Sequence, residues 1–350
     1  MAKPPYIPSL DGLRAVSIAL VFLSHVGFGH VVPGGFGVTI FFFLSGYLIT
    51  TLMTREWDQH GSIAMGAFYL RRIVRLSPPI LFVLLVSALL VWAGWAEGRL
   101  DIQTISSQIF FYYNYFSLYA SDPATVNGLG ILWSLAVEEH FYLIWPTLFI
   151  LLVNTRFEIR YLLVLLLAVV VWRAIRVFGL GTDEWTIYIS TDTRLDSLLY
   201  GCLLAMLTWR GHADLLFGPS LPVRMAWLGG AVVVLLVCLS IRDETFRSIP
   251  RYSLQGLALM PIFHYAVTQP SDLWFRPLNW APLRKIGQWS FTIYLIHYVI
   301  IEALIYSGFA ALGDWALVVI SAALSAAFAA ATYRWLEKPF HPLRRRLTGH

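Results

Sequence analysis

The chain has 350 residues, of which 58% are hydrophobic and only 13% charged, with a mean hydropathy of +0.68. That balance exceeds what a soluble domain keeps in water and specifies a multi-span membrane protein. The net charge of +5 falls mostly in loops between apolar runs, so it marks topology and contact with anionic lipid rather than nucleic-acid binding.

Ten stretches are long enough to cross a hydrocarbon core of about 30 Å. They cover residues 10–28, 34–54, 79–97, 130–153, 160–178, 194–209, 222–241, 251–268, 286–307 and 312–334. Lipid permits only helices or closed barrels, and continuous apolar runs select helices, so the predicted fold is all-α with ten transmembrane helices in one integral domain. Lys3, Arg55, Arg71, Arg72, Arg75, Arg156, Arg160, Arg210, Arg224, Arg276, Arg284, Lys285, Lys338 and Arg344 to Arg346 fall in alternate connections or the termini. The opposite set holds Arg99, Arg242 and Arg247. The positive-inside rule therefore predicts cytoplasmic termini.

The N-terminus MAKPPYIPSLDG leads straight into a span with polar residues and reads as uncleaved. Within that span Arg14 and His25 are eleven residues apart, or three helical turns plus roughly 20°, which places both on one face about 16 Å apart. Ionisable groups at membrane depth are costly unless they face protein or water, so the pair predicts a polar path. Span two carries Ser45 beside Gly46 in FFFLSGYLIT; the small residues permit close approach of a helix or a ligand.

FYLRRIVRLSPP follows, with Arg71, Arg72 and Arg75 before span three and Pro78 and Pro79 at the expected helix start. On a helical turn the three guanidinium groups converge on one anion, and their forks match phosphate oxygens. Positive-inside anchoring alone also explains arginines beside a span. Arg14, which orientation does not require, favours docking of a phosphorylated cytoplasmic donor. The aromatic run at residues 108–120 reads as interfacial or re-entrant, because an eleventh span would put the Arg-rich tail outside.

Span four, ILWSLAVEEHFYLIWP, sets Ser134, Glu138 and Tyr142 on one helix face, with Glu139 and His140 beside them. Such carboxylates are functional or fix helix packing as ion pairs. At the start of span six Arg194 and Asp196 are two residues apart, so each needs a partner elsewhere. Cys202 and Cys238 both fall in predicted spans and form no metal-ligand spacing, so neither a disulfide nor a metal is expected. Span nine carries Ser290, Tyr294 and His297 along one side in WSFTIYLIHY, a second-rank group.

Together these elements resemble acyltransferase family 3, the integral-membrane acyltransferases that include bacterial O-antigen and exopolysaccharide O-acetyltransferases. The matching blocks are LDGLRAVSIALVFLSH, FFFLSGYLI, YLRRIVRLSPP, LWSLAVEEHFYLIWP, RLDSLLYG, SFTIYLIHY and YRWLEKPF, in family order from residue 9 to residue 340. The resemblance implies an inner-membrane O-acyltransferase that moves an acyl group, commonly acetyl from acetyl-CoA, onto a sugar hydroxyl, free or lipid-linked. It also implies that Arg14, His25, Arg72, Arg75 and Glu138 are functional. Longer relatives add an extracytoplasmic hydrolase-like domain; with about ten residues after the last block, any step of that domain is expected to be absent or done by a partner.

The residues and the resemblance meet in one scheme. Acyl-CoA keeps its phosphates at Arg71, Arg72 and Arg75, with Arg14 reaching inward, and threads its thioester arm towards His25. The imidazole acts as general base on the sugar hydroxyl or as a transient acyl acceptor. Glu138 orients His25, and Ser45 and Tyr142 are candidate donors to the tetrahedral oxyanion. Ser134, Arg194, Asp196, Tyr294 and His297 complete the substrate or supporting set. A glycan transporter would also want buried Arg, His and Glu in about ten helices. A non-catalytic assembly partner has less need of them.

Overall fold

The computed structural model describes residues 6–99, 101–121 and 125–340. Lys3 and Arg344 to Arg346, which entered the orientation argument, lie outside the described residues. In chain order the helices are α1 (Pro8–Leu23), α2 (Gly34–His60), α3 (Met65–Trp92), α4 (Ile102–Ile109), α5 (Tyr113–Tyr119), α6 (Trp133–Val153), α7 (Glu158–Ala174), α8 (Glu184–Ile189), α9 (Thr191–Trp209), α10 (His212–Phe217), α11 (Leu221–Ser240), α12 (Glu244–Ser248), α13 (Arg251–Thr268), α14 (Ala281–Tyr306) and α15 (Asp314–Thr332). No strand occurs among the described residues.

Eight helical segments among the described residues are long and apolar enough to cross a membrane: α1, α2, α3, α6, α7, α11, α14 and α15 with their end turns. The protein is thus an all-α integral membrane protein. The sixth and eighth predicted spans also form helices, α9 and α13, but at 19 and 18 residues they are not among those eight. Both carry buried polar side chains, including Arg194, Asp196, Ser253 and Gln255, which lowers their apolarity.

The chain packs as two units. The first comprises residues up to Ser17, Gly35–Ile63 and Val137–Gly287. Here α9 packs against α7 and α13, and α13 also packs against α11. The outward faces of α7 and α11 expose Leu163, Val164, Leu167, Val233 and Leu236, side chains suited to lipid rather than water. The second unit comprises Ile18–Gly34, Ala64–Ala136 and the chain from Gln288 onward. Its core includes Phe22, Val26, Ile301 and Leu317, with Tyr298 and Leu304 packed against them.

The short helices α4, α8 and α12 owe their starts to carboxylates that satisfy orphan backbone donors. Asp101 accepts from the Thr104 N–H at 2.8 Å, Asp183 from Thr186 at 2.9 Å and Asp243 from Phe246 at 2.7 Å. The aromatic run is broken at Phe111, whose φ of 58° is rare for a residue with a side chain. Helices α4 and α5, of 8 and 7 residues, are each too short to span a bilayer, so among its described residues this connection contains no eleventh span.

The start of the third helix lies well before its predicted position. Pro78 and Pro79 lie inside α3, which begins at Met65. Proline is tolerated at a helix start but also within membrane helices, where neighbouring groups re-satisfy the freed carbonyls. The three arginines therefore sit on the helix itself rather than in a loop before it.

Candidate functional site

Helix α1 ends by widening into a π-turn over Ser24–Phe28, with Gly27 at φ 116° inside it. The positive φ is open to glycine and strained for side-chain-bearing residues. His25 lies in this turn, so the 3.6-residue period that set Arg14 and His25 on one stripe stops at Leu23. A glycine at positive φ is a common way for a helix to end, and here it redirects the chain just after His25.

In the second unit, His25 Nδ1 lies 2.9 Å from His297 Nε2. Their ring centroids are 5.1 Å apart and the planes differ by 17°. That separation is close to the N···N distance plus two ring radii, so the rings meet edge to edge in nearly one plane, as an N–H···N bond requires. His297 is fully buried, and its Nδ1 faces the backbone carbonyls of Tyr294 at 2.8 Å and Ile293 at 3.1 Å. Tyr298 stacks on the His25 ring at 4.3 Å. The ring of His297 thus holds that of His25 in the second unit, whereas Glu138 belongs to the first.

Ser134 and Tyr294 meet in the same unit at 2.6 Å, and both hydroxyls also reach the Ile131 carbonyl, at 3.1 and 3.0 Å. Arg71, Arg72 and Arg75 follow one another on α3; Arg71 and Arg72 are half-buried and Arg75 is exposed. Their i,i+3 and i,i+4 spacing is realised on a continuous helix, which brings the guanidinium groups to one side.

The first unit holds the remaining candidates. Arg14 donates to Asp11 at 2.8 Å, one turn earlier on α1, and Asp11 also accepts from the Tyr6 hydroxyl at 2.6 Å. The sequence reading omitted Asp11, although its i,i+3 spacing from Arg14 was visible. Glu138 Oε1 accepts from Ser45 on α2 and from Tyr142 on α6, the latter at 2.5 Å. Both hydroxyls thus donate to the same Glu138 oxygen. Ser45 and Tyr142 therefore hold the carboxyl group in place. His140 Nδ1 pairs with the Thr191 hydroxyl at 2.7 Å.

Asp196 finds the partner its spacing demanded in Arg173 of α7, at 2.8 Å with neither side chain exposed. Ser253 of α13 donates to the same carboxylate oxygen at 2.5 Å and accepts from Arg173 at 2.7 Å. Arg194 is enclosed by aromatic faces: its guanidinium carbon lies 3.9 Å from the Tyr252 ring centroid, 5.1 Å from Tyr188 and 5.4 Å from Phe42. It donates to the Thr39 hydroxyl at 3.1 Å and to the Tyr188 carbonyl at 3.3 Å. Cation–π contacts and hydrogen bonds replace water around this buried charge.

A family model described as an acyltransferase domain, that of acyltransferase family 3, matches residues 7–334. The peptidoglycan O-acetyltransferase OatA of Listeria monocytogenes is 31% identical, over 85% of this chain and 49% of its own length. The O-acetyltransferase OatA of Staphylococcus aureus (strain NCTC 8325) is 30% identical, over 97% of this chain and 58% of its own length. The chain thus spans about half the length of the curated relatives it matches. No solved structure matches it. With residues 7–334 covered by one family model, the chain belongs to acyltransferase family 3.

Proposed function

We propose that the protein is an inner-membrane O-acetyltransferase that moves an acetyl group from cytoplasmic acetyl-CoA to a hydroxyl of a cell-surface or lipid-linked saccharide. The observation that carries this reading is the half-buried His25 ring, held in a π-turn by a second imidazole. Family membership supports transfer of an acyl group, and the name of the Listeria relative makes peptidoglycan an acceptor to test beside O-antigen and exopolysaccharide.

In this reading Arg71, Arg72 and Arg75 bind the donor's phosphates, since guanidinium forks suit phosphate oxygens and α3 carries all three within two turns. With its termini in the cytoplasm, as the loop charges predict, the protein presents this end of α3 to the cytosolic donor. His25 takes the proton from the acceptor hydroxyl as the oxygen attacks the thioester carbonyl. The C–S bond then breaks, the thiolate leaves and collects that proton, and an ester and free thiol result. General-base assistance of this kind contributes about 10² to 10⁴ in rate. Acyl transfer through the same imidazole lone pair would give the same products in two steps.

The test is acetyl-CoA with purified protein in lipid nanodiscs and a saccharide acceptor. Acceptor-dependent release of free thiol is expected, and it should vanish in His25→Ala while the variant still inserts and purifies. A thioester that stays whole would favour a transporter, and full activity in His25→Ala would remove that residue from the chemistry. Arg14→Ala and Glu138→Gln are expected to lower turnover in the same assay.

A further inference from the structure

We propose that His297 is a positioning residue that fixes the tautomer of His25, so that Nε2 of His25 is the atom bearing the reactive lone pair. The inference rests on the proposed role of His25 as base or acyl acceptor, but the tautomer itself is a property of the resting protein.

The assignment follows from the backbone inwards. The carbonyl oxygens of Tyr294 and Ile293 only accept, so the His297 Nδ1 facing them carries the hydrogen. In a neutral ring the other nitrogen is then bare, and His297 Nε2 is an acceptor. His25 Nδ1, 2.9 Å away, must supply the hydrogen for that bond. This leaves Nε2 of neutral His25 without a hydrogen. Among the described residues no hydrogen bond is recorded at that nitrogen, and the ring is half-buried rather than sealed. The π-turn and the stacked Tyr298 ring hold the imidazole against rotation.

The chain of bonds from backbone carbonyl to His297 to His25 supplies the tautomer control that a carboxylate provides in hydrolytic triads. When His25 Nε2 takes a proton, Nδ1–H becomes a donor from a cation and its bond to His297 shortens and strengthens. That gain arises as charge develops, so it favours the transition state over the ground state. The Phe22 ring, its centroid 6.1 Å from that of His297, packs beside the pair and limits the water that would otherwise compete for the bond.

Two readouts test it on the full chain in nanodiscs. The first is nitrogen NMR on protein labelled at histidine, with His25→Gln used to assign the signals. His25 should show a protonated Nδ1 and a bare Nε2 in the absence of any substrate; the opposite tautomer would overturn the proposal whatever the activity. The second is kinetic. His297→Leu should lower kcat about 10²-fold at unchanged acetyl-CoA KM, within the range general-base catalysis supplies. His297→Gln, whose amide oxygen can accept from His25 Nδ1, should restore most of it. A wild-type kcat in His297→Leu would overturn the inference, as would equal losses in the Leu and Gln variants. If His25→Gln itself retains turnover, the functional reading fails, while the NMR result still stands or falls separately.

Discussion

Arg173 and Asp196 meet at 2.8 Å with no solvent at either side chain, and Ser253 bridges them by accepting from one and donating to the other. Three helices, α7, α9 and α13, are tied at this point. Removing one partner of a buried pair leaves the other charge uncompensated, at a cost of about 3 to 5 kcal/mol. Arg173→Leu should accordingly lower the thermal stability and yield of the purified protein, and Asp196→Leu should do the same. The double variant should recover much of the loss, because two apolar side chains of similar volume leave no orphan charge. Equal damage in the single and double variants, read by thermal unfolding, would assign the pair a role other than packing.

The Glu138 carboxylate presents a different balance, since Ser45 and Tyr142 converge on the same oxygen. A hydrogen bond contributes about 0.5 to 1.5 kcal/mol net, and 1.4 kcal/mol corresponds to about tenfold in rate. Ser45→Ala and Tyr142→Phe should each reduce kcat about tenfold if the carboxylate must be held still for turnover. The double variant should fall short of the product of the two, because one side chain's loss already frees the carboxylate to rotate. Steady-state kinetics on the four proteins of this cycle would measure the coupling.

The positions of the helices were legible in the sequence because apolar runs of 16 to 24 residues leave lipid few options, and even the polar α9 and α13 formed where expected. What the runs did not reveal is local departure from a regular helix. The π-turn at His25 contains no proline to announce it, and the proline pair in α3 resembled a helix start. Arg173 escaped notice because the apolar LLLAVVVW before it masked a charge whose partner lies 23 positions further along the chain. His297 was visible only as part of a second-rank group with Ser290 and Tyr294. Its significance depends on a bond to a residue 272 positions away, which no spacing rule encodes.

Close approach of α2 and α9 yields a stability prediction. A Cβ placed on Gly46 would collide with the Leu198 carbonyl, and one placed on Gly201 with the Phe43 carbonyl. Small residues at such crossings let helix backbones touch in lipid. Gly46→Ala and Gly201→Ala should each cost about 1 to 3 kcal/mol, the range for overpacking a closely fitted interface. Cys202, fully buried in α9, provides the readout, because a thiol-reactive dye reaches it only when the helices separate. An unchanged labelling midpoint in both variants would show that the crossing can open without loss.

The arginines of α3 allow anchoring and donor binding to be separated. If they only set topology, replacing Arg72 leaves Arg71 and Arg75 on the same turn of helix, and neither insertion nor kinetics should change. If they bind phosphates, Arg72→Ala should raise the acetyl-CoA KM about tenfold with kcat at saturation nearly constant, the signature of binding lost equally from ground and transition states. Arg72→Lys should fall between, because a lysine keeps the charge but loses the planar two-point contact. Raised salt should weaken the donor interaction in the wild type more than in Arg72→Ala, since fewer charge contacts remain to be screened. A carboxyl-terminal reporter, probed for accessibility in intact cells, supplies the control: it should read cytoplasmic in all three proteins. A KM that rises together with a change in reporter location would trace the defect to misinsertion, whereas a KM that rises alone assigns Arg72 to the donor.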